Sequence, residues 1–131
     1  MTLKLKTSRT SLSDTNPAIR RKTVFTFQKN PEKYFDLLCM TAKGDSSPVI
    51  RHEAIFLLGT IKDKKVVRLL LWTIAHDVSD LVRHEAIEML GDCGFKTRSV
   101  IEALKKPQQD RNPFIRDTAD IALATLELSK T

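Results

Sequence analysis

Glycine and aromatic residues are scarce in this chain, with four Gly in 131 positions and 6% Phe, Trp and Tyr. With only five Pro, little of the turn material and flat side chains of a sheet sandwich is left, and helices are favoured. Cysteine is limited to Cys39 and Cys93, which form neither a C-x-x-C pair nor a disulfide framework. No secretory pattern precedes them, so reduced thiols and a cytoplasmic setting are expected. The longest largely apolar run, Leu69 to Ala75, is far short of the roughly 20 residues of a bilayer span, so no membrane is expected as a partner.

What is present is ordinary for a water-soluble globular chain: 41% hydrophobic and 29% charged residues, in a length that suits one domain. The net charge of +6 is unevenly placed. Residues 1–29 hold seven Lys or Arg against the single acid Asp14, whereas residues 30–131 hold fifteen of each sign. The expected organisation is a flexible basic arm over residues 1–14 and a single repeat domain over 15–131. Met1–Ser13 lacks acids but is too short and too poor in Arg for an organellar transit peptide. Nucleic acid is not an expected partner, because charges in the domain balance and Trp72 and Tyr34 read as core residues.

Four segments of the chain match one another. They begin Pro17-Ala18-Ile19-Arg20, Pro48-Val49-Ile50-Arg51, Asp80-Leu81-Val82-Arg83 and Pro113-Phe114-Ile115-Arg116. A period of about 32 residues marks a solenoid whose units cannot each bury a core alone. Asn16, Ser47, Ser79 and Asn112 stand where a helix N-cap belongs. Ile50, Ala54, Leu57, Leu58 and Ile61 recur at helical spacing, as do Val82, Ala86, Met89, Leu90 and Cys93. Second helices are expected to start at Asn30-Pro31, Asp63 and Thr97, with Gly94 as a C-cap. Gly59 and Gly91 fall at equivalent positions, where close packing excludes a side chain. The pattern predicts an all-α fold, an α-α superhelix of the HEAT-like kind with about seven helices. Its last helix, about Pro113–Leu128, lacks a following partner for Ile115, Ala119, Ala122, Leu123 and Leu126, so an end-cap or a second subunit is expected there.

The two central units share a further phrase, Arg-His-Glu-Ala-Ile, at Arg51–Ile55 and Arg83–Ile87. Packed helices lie about 8–10 Å apart, so His52 and His84 can converge on one ion, with Glu53 or Glu85 adding carboxylate oxygens. Two imidazoles and a carboxylate with open positions suit non-haem Fe(II), and helical His/carboxylate sets also build di-iron centres. No H-E-x-x-H occurs, which disfavours a zinc hydrolase. The plainer alternative is an inert, solvated His-Glu pair copied with its repeat. Against it, the outer units carry Arg21-Lys22 and Asp117-Thr118 at these positions, and the aromatic Phe56 shares the stripe of His52. His76 lies outside the register and reads as a surface or capping residue.

The run Arg51-His52-Glu53-Ala54, Leu58-Gly59, Lys62-Asp63 and Leu81–Gly91 resembles one half of deoxyhypusine hydroxylase, and the last helix is similar to the segment closing that half. The resemblance covers about Asn16 to Leu128. It implies a HEAT-repeat di-iron monooxygenase that activates O2 and hydroxylates a lysine-derived side chain on a protein. It implies His52, Glu53, His84 and Glu85 as metal-binding residues, with Glu53 and Glu85 also handling protons. The family uses four His-Glu motifs where this chain has two, so a homodimer with two irons would restore the set. The same Val-Arg-x-x-Ala-x-x-x-Leu-Gly repeat occurs in relatives of phycobilin lyases without iron chemistry, which keeps a protein-interaction scaffold as the alternative.

Overall fold

Side-chain caps fix where the helices begin. In the computed structural model, which describes residues 8–129, Asn16 Oδ1 accepts from the Ala18 N–H at 2.9 Å, Ser47 Oγ from Ile50 at 3.4 Å, and Asn112 Oδ1 from Phe114 at 2.9 Å. Each cap precedes a proline whose absent N–H would have had no helical partner. Ser79 differs from expectation, since its hydroxyl caps nothing. Its own N–H instead donates to Asp77 Oδ1 at 2.9 Å, so the carboxylate of Asp77 organises that turn.

Among the described residues, seven α-helices follow the helical turn at residues 8–11, as the repeat pattern predicts: α1 (Pro17–Thr26), α2 (Phe35–Gly44), α3 (Pro48–Gly59), α4 (Lys64–His76), α5 (Asp80–Cys93), α6 (Arg98–Lys105) and α7 (Pro113–Leu128). Short 3-10 turns bridge α1 to α2 and α6 to α7. The first helices α1, α3, α5 and α7 stack in succession, and α2, α4 and α6 form the second row. Asp63 and Thr97 cap the second helices as expected, accepting from Lys65 and Val100. Gly94 takes φ +78° and closes α5, a conformation that a side chain would strain. No described helix is long and apolar enough to cross a membrane.

One continuous core runs from Leu12 to Leu126. Leu12 is 9% exposed and residues 8–11 are helical, so burial of this leucine anchors the chain from Ser8. Residues 1–7 lie outside the described residues. The last helix also corrects its expectation. Ile115, Ala119, Ala122 and Leu126 are buried because α7 stacks directly on α5 and meets α6. Its exposed apolar residues are instead Phe114, Ile121 and Leu128. Tyr34 is a core residue, stacked on Phe27 at 4.2 Å. Trp72 is only partly covered, with His76 stacked on it at 5.0 Å and bonded to its carbonyl at 3.0 Å.

A polar ladder sets the repeat spacing. Each repeated arginine lies six residues after an aspartate: Asp14/Arg20, Asp45/Arg51, Asp77/Arg83 and Asp110/Arg116. Arg20, Arg51 and Arg116 donate to the carbonyl of that preceding Asp. Arg20, Arg51 and Arg83 also pair with the carboxylate of the next one, Asp45, Asp77 and Asp110, at 2.9, 2.9 and 2.7 Å. Each of these carboxylates accepts from a backbone N–H two residues on. The charges are therefore both paired and hydrogen-bonded, which offsets their partial burial.

Gly59 and Gly91 occupy matching close approaches with different neighbours. A Cβ on Gly91 would lie 2.9 Å from Ala122 Cα, whereas one on Gly59 would run into the Met89 side chain. Backbone cannot yield as a methionine can. Gly91→Ala is expected to destabilise the protein by about 1–3 kcal/mol and Gly59→Ala by clearly less, measured by denaturant unfolding. Equal losses would contradict this assignment.

Candidate metal centre

The two His-Glu phrases sit on α3 and α5, where helical spacing points their side chains along the first-helix row. Successive repeats meet there with an offset of about one residue. Arg21 pairs with Glu53 at 3.2 Å, His52 Nε2 with Glu85 Oε1 at 2.8 Å, and His84 Nδ1 with Thr118 Oγ1 at 2.9 Å. Of the four residues singled out from sequence, His52 and Glu85 are thus brought together. Glu53 is turned toward the preceding repeat and Arg21. His84 shares α5 with Glu85 and meets Glu88 Oε2 through Nε2 at 3.3 Å.

The hydrogen bonds around His84 favour one tautomer. The Thr118 hydroxyl donates to the Phe114 carbonyl at 2.8 Å, so its single proton is committed. Thr118 Oγ1 therefore accepts from His84 Nδ1–H, and a neutral ring carries its lone pair on Nε2. That lone pair faces the Glu88 carboxylate, and two acceptors this close are favourable only with a proton or a metal cation between them. The Phe114 ring, 4.7 Å from the imidazole between centroids, packs against it.

Glu85 is the most enclosed acid of the group, its side chain 9% exposed against 28% for His52. Burial raises its carboxyl above the ordinary range; His52 and His84 oppose the rise and the Glu88 charge adds to it. A buried carboxylate held this way is stabilised by a cation.

These donors fit a first-row metal ion as part of a ligand set. Donor atoms in adjacent positions on one ion, with bonds of about 2.1 Å, lie about 3 Å apart, close to the 2.8 Å between His52 Nε2 and Glu85 Oε1. The second nitrogen of His84 is fixed by a hydroxyl, as ligating histidines require. Among the described residues, no three His, Cys, Asp or Glu side chains converge closely enough to hold an ion by themselves. Sequence reasoning missed Arg21, Glu88 and Thr118. Arg21 and Thr118 were legible as the outer-repeat residues at the His and the Glu position of the phrase, and Glu88 as the residue one helical turn beyond His84.

Comparison with known proteins agrees with the architecture. The family model for HEAT repeats matches residues 7–91 and 35–124. No curated protein matches the sequence. Among solved structures, human deoxyhypusine hydroxylase, in a complex with glycerol, superposes with a TM-score of 0.78 at 24% identity over 95% of this chain. The match covers 44% of the human chain, so this chain resembles one half of that protein and spans less than half its length.

Proposed function

The chain belongs to the HEAT-repeat family, and on that scaffold we propose a non-haem iron protein that activates O2 and hydroxylates a C–H bond, similar in activity to deoxyhypusine hydroxylase. In this reading His52, His84 and Glu85 are metal ligands. Glu53, steadied by Arg21, is the carboxylate at the edge of the site. Two copies of the chain pair to restore a four-motif set, with two irons per dimer. The likeness to one half of the human protein supports a half-site that needs a second copy. The observation that carries the reading is the His52–Glu85 contact beside a His84 whose Nε2 faces the Glu88 carboxylate.

Iron, when bound, supplies the dioxygen-activating redox chemistry. The residues of this chain do the rest. Thr118 orients His84 and keeps its proton on Nδ1. Glu85, poorly solvated, gains most from a cation and so favours loading. Glu53 can take or return a proton near the reacting carbon. Two cysteines that are both free support a reducing, cytoplasmic setting.

A scaffold without chemistry is the second reading, favoured by one observation. Arg21–Glu53 joins the same positions between repeats with no metal-type donor pair, so the His52–Glu85 contact can be one more rung of a structural ladder. Anaerobic loading with Fe(II) followed by air separates the two. Retained iron and a new visible absorption band on exposure to air are expected. A protein that retains no iron, or whose spectrum air leaves unchanged, is a scaffold.

A further inference from the structure

The second-helix row carries a groove unconnected with the His-Glu positions. It lies between α2 and α4 and encloses about 410 Å³. Cys39, Met40 and Leu69 line it together with the Phe35 and Trp72 rings. Cys39 is half-buried there, and burial pushes its thiol up to about 11. Met40 is nevertheless 45% exposed at the mouth, an unbranched and adaptable side chain of the kind used at binding surfaces.

The charged residues of the lining are Lys43, Lys65 and Arg68, with no acid among them; Glu32 and Asp36 lie beside it and act on Lys65. A fourth cation, Arg9, approaches the mouth with Nη1 at 4.0 Å from Met40 Sδ. The ammonium groups of Lys43 and Lys65 lie over the Trp72 and Phe35 rings at 4.9 and 4.6 Å. Lys65 also meets the exposed Glu32 at 3.0 Å, a surface contact that an incoming carboxylate can replace. The neighbouring groove between α4 and α6, of about 400 Å³, mixes Arg83 and Lys106 with Glu102 and Asp110. Of these two grooves along the second-helix row, the α2–α4 one is the one lined by cations without an acid.

We propose that the α2–α4 groove docks an acidic amphipathic helix of a partner protein, with apolar side chains seated on Met40, Leu69 and Trp72 and carboxylates on Lys43, Lys65 and Arg68. A trough between two helices accepts a third by ridge-and-groove packing. Flexible lysine stems turn from the ring faces to the incoming carboxylates while still covering apolar surface. Nucleic acid fits less well, because Cys39, Met40 and Leu69 offer no ring on which a base would stack.

Trp72 is the chain's single tryptophan, so its emission reports occupancy directly. The probes are a synthetic helical peptide of about four turns, Leu on one face and Glu on the other, and its counterpart with Lys for Glu. The Glu peptide is expected to bind saturably, shift Trp72 emission and weaken with added salt, while the Lys peptide does not bind. Lys43→Glu/Arg68→Glu and, separately, Met40→Glu are expected to weaken the Glu peptide tenfold or more. All three positions are exposed, and thermal melts verify that the variants fold. The proposal is overturned if the Glu peptide fails to bind at ~1 mM, if the Lys peptide binds equally, or if both variants bind normally. It is equally overturned if a single-stranded oligonucleotide or an anionic phospholipid vesicle occupies the groove more tightly than the Glu peptide.

Discussion

Asp77→Ala is expected to lower the stability of the folded protein by about 3 kcal/mol, the loss typical of breaking a largely buried ion pair from one side. The substitution strands Arg51, whose side chain is 11% exposed. It also removes the acceptor of the Ser79 N–H at the start of α5, in a turn where Ser79 supplies no side-chain cap. For a domain of this size the melting temperature should fall by roughly 10 °C. Arg116→Ala provides the contrast. Its guanidinium bonds the carbonyls of Asp110 and Arg111 and is exposed at the end of the ladder, so about 1 kcal/mol or less is expected. Acid probes the same contacts. The hydrogen bond from Arg83 holds the Asp110 carboxyl below its ordinary range. Its contribution is therefore complete above that range and is lost as pH falls through the lowered value. Calorimetric melts of the two variants check the ladder, and equal losses would contradict it.

The double variant His52→Ala/His84→Ala is expected to lose metal affinity by ~100-fold or more, since outer partners of metal ligands alone carry about 10–100-fold. The fold should survive, because both side chains are partly exposed and the core beneath them is aliphatic. Thr118→Val keeps the shape and removes the acceptor of His84 Nδ1–H, and should weaken metal roughly tenfold. Calorimetric titration with Fe(II) under anaerobic conditions reads both. A Thr118→Val protein that binds as tightly as the parent would show that the His84 tautomer is irrelevant.

The contrast between ladder and site explains what the sequence could reveal. Helix starts were legible because Asn16, Ser47 and Asn112 each precede a proline, a local signal that needs no tertiary knowledge. The aspartate six residues before each arginine was equally local, but its carboxylate serves the arginine of the preceding repeat, so its role emerges only once repeats are stacked. Period alone also left the candidate metal positions ambiguous. A spacing of about 32 residues says that α3 and α5 are neighbours, but the offset between helices decides whether His52 meets His84, Glu85 or Glu88. That offset pairs His52 with Glu85 and, by the same step, Arg21 with Glu53. It takes Glu53 away from the pair it was expected to join. The last helix was misread for a related reason: first helices stack on first helices, so α5 already covers the stripe of α7.

The most direct measurement is the mass of the Fe(II)-loaded protein under native conditions. A species of twice 14.9 kDa carrying two irons, both lost in the His52→Ala/His84→Ala variant, is predicted. A single chain without iron, or iron retained unchanged by that variant, would contradict a shared His-Glu metal centre.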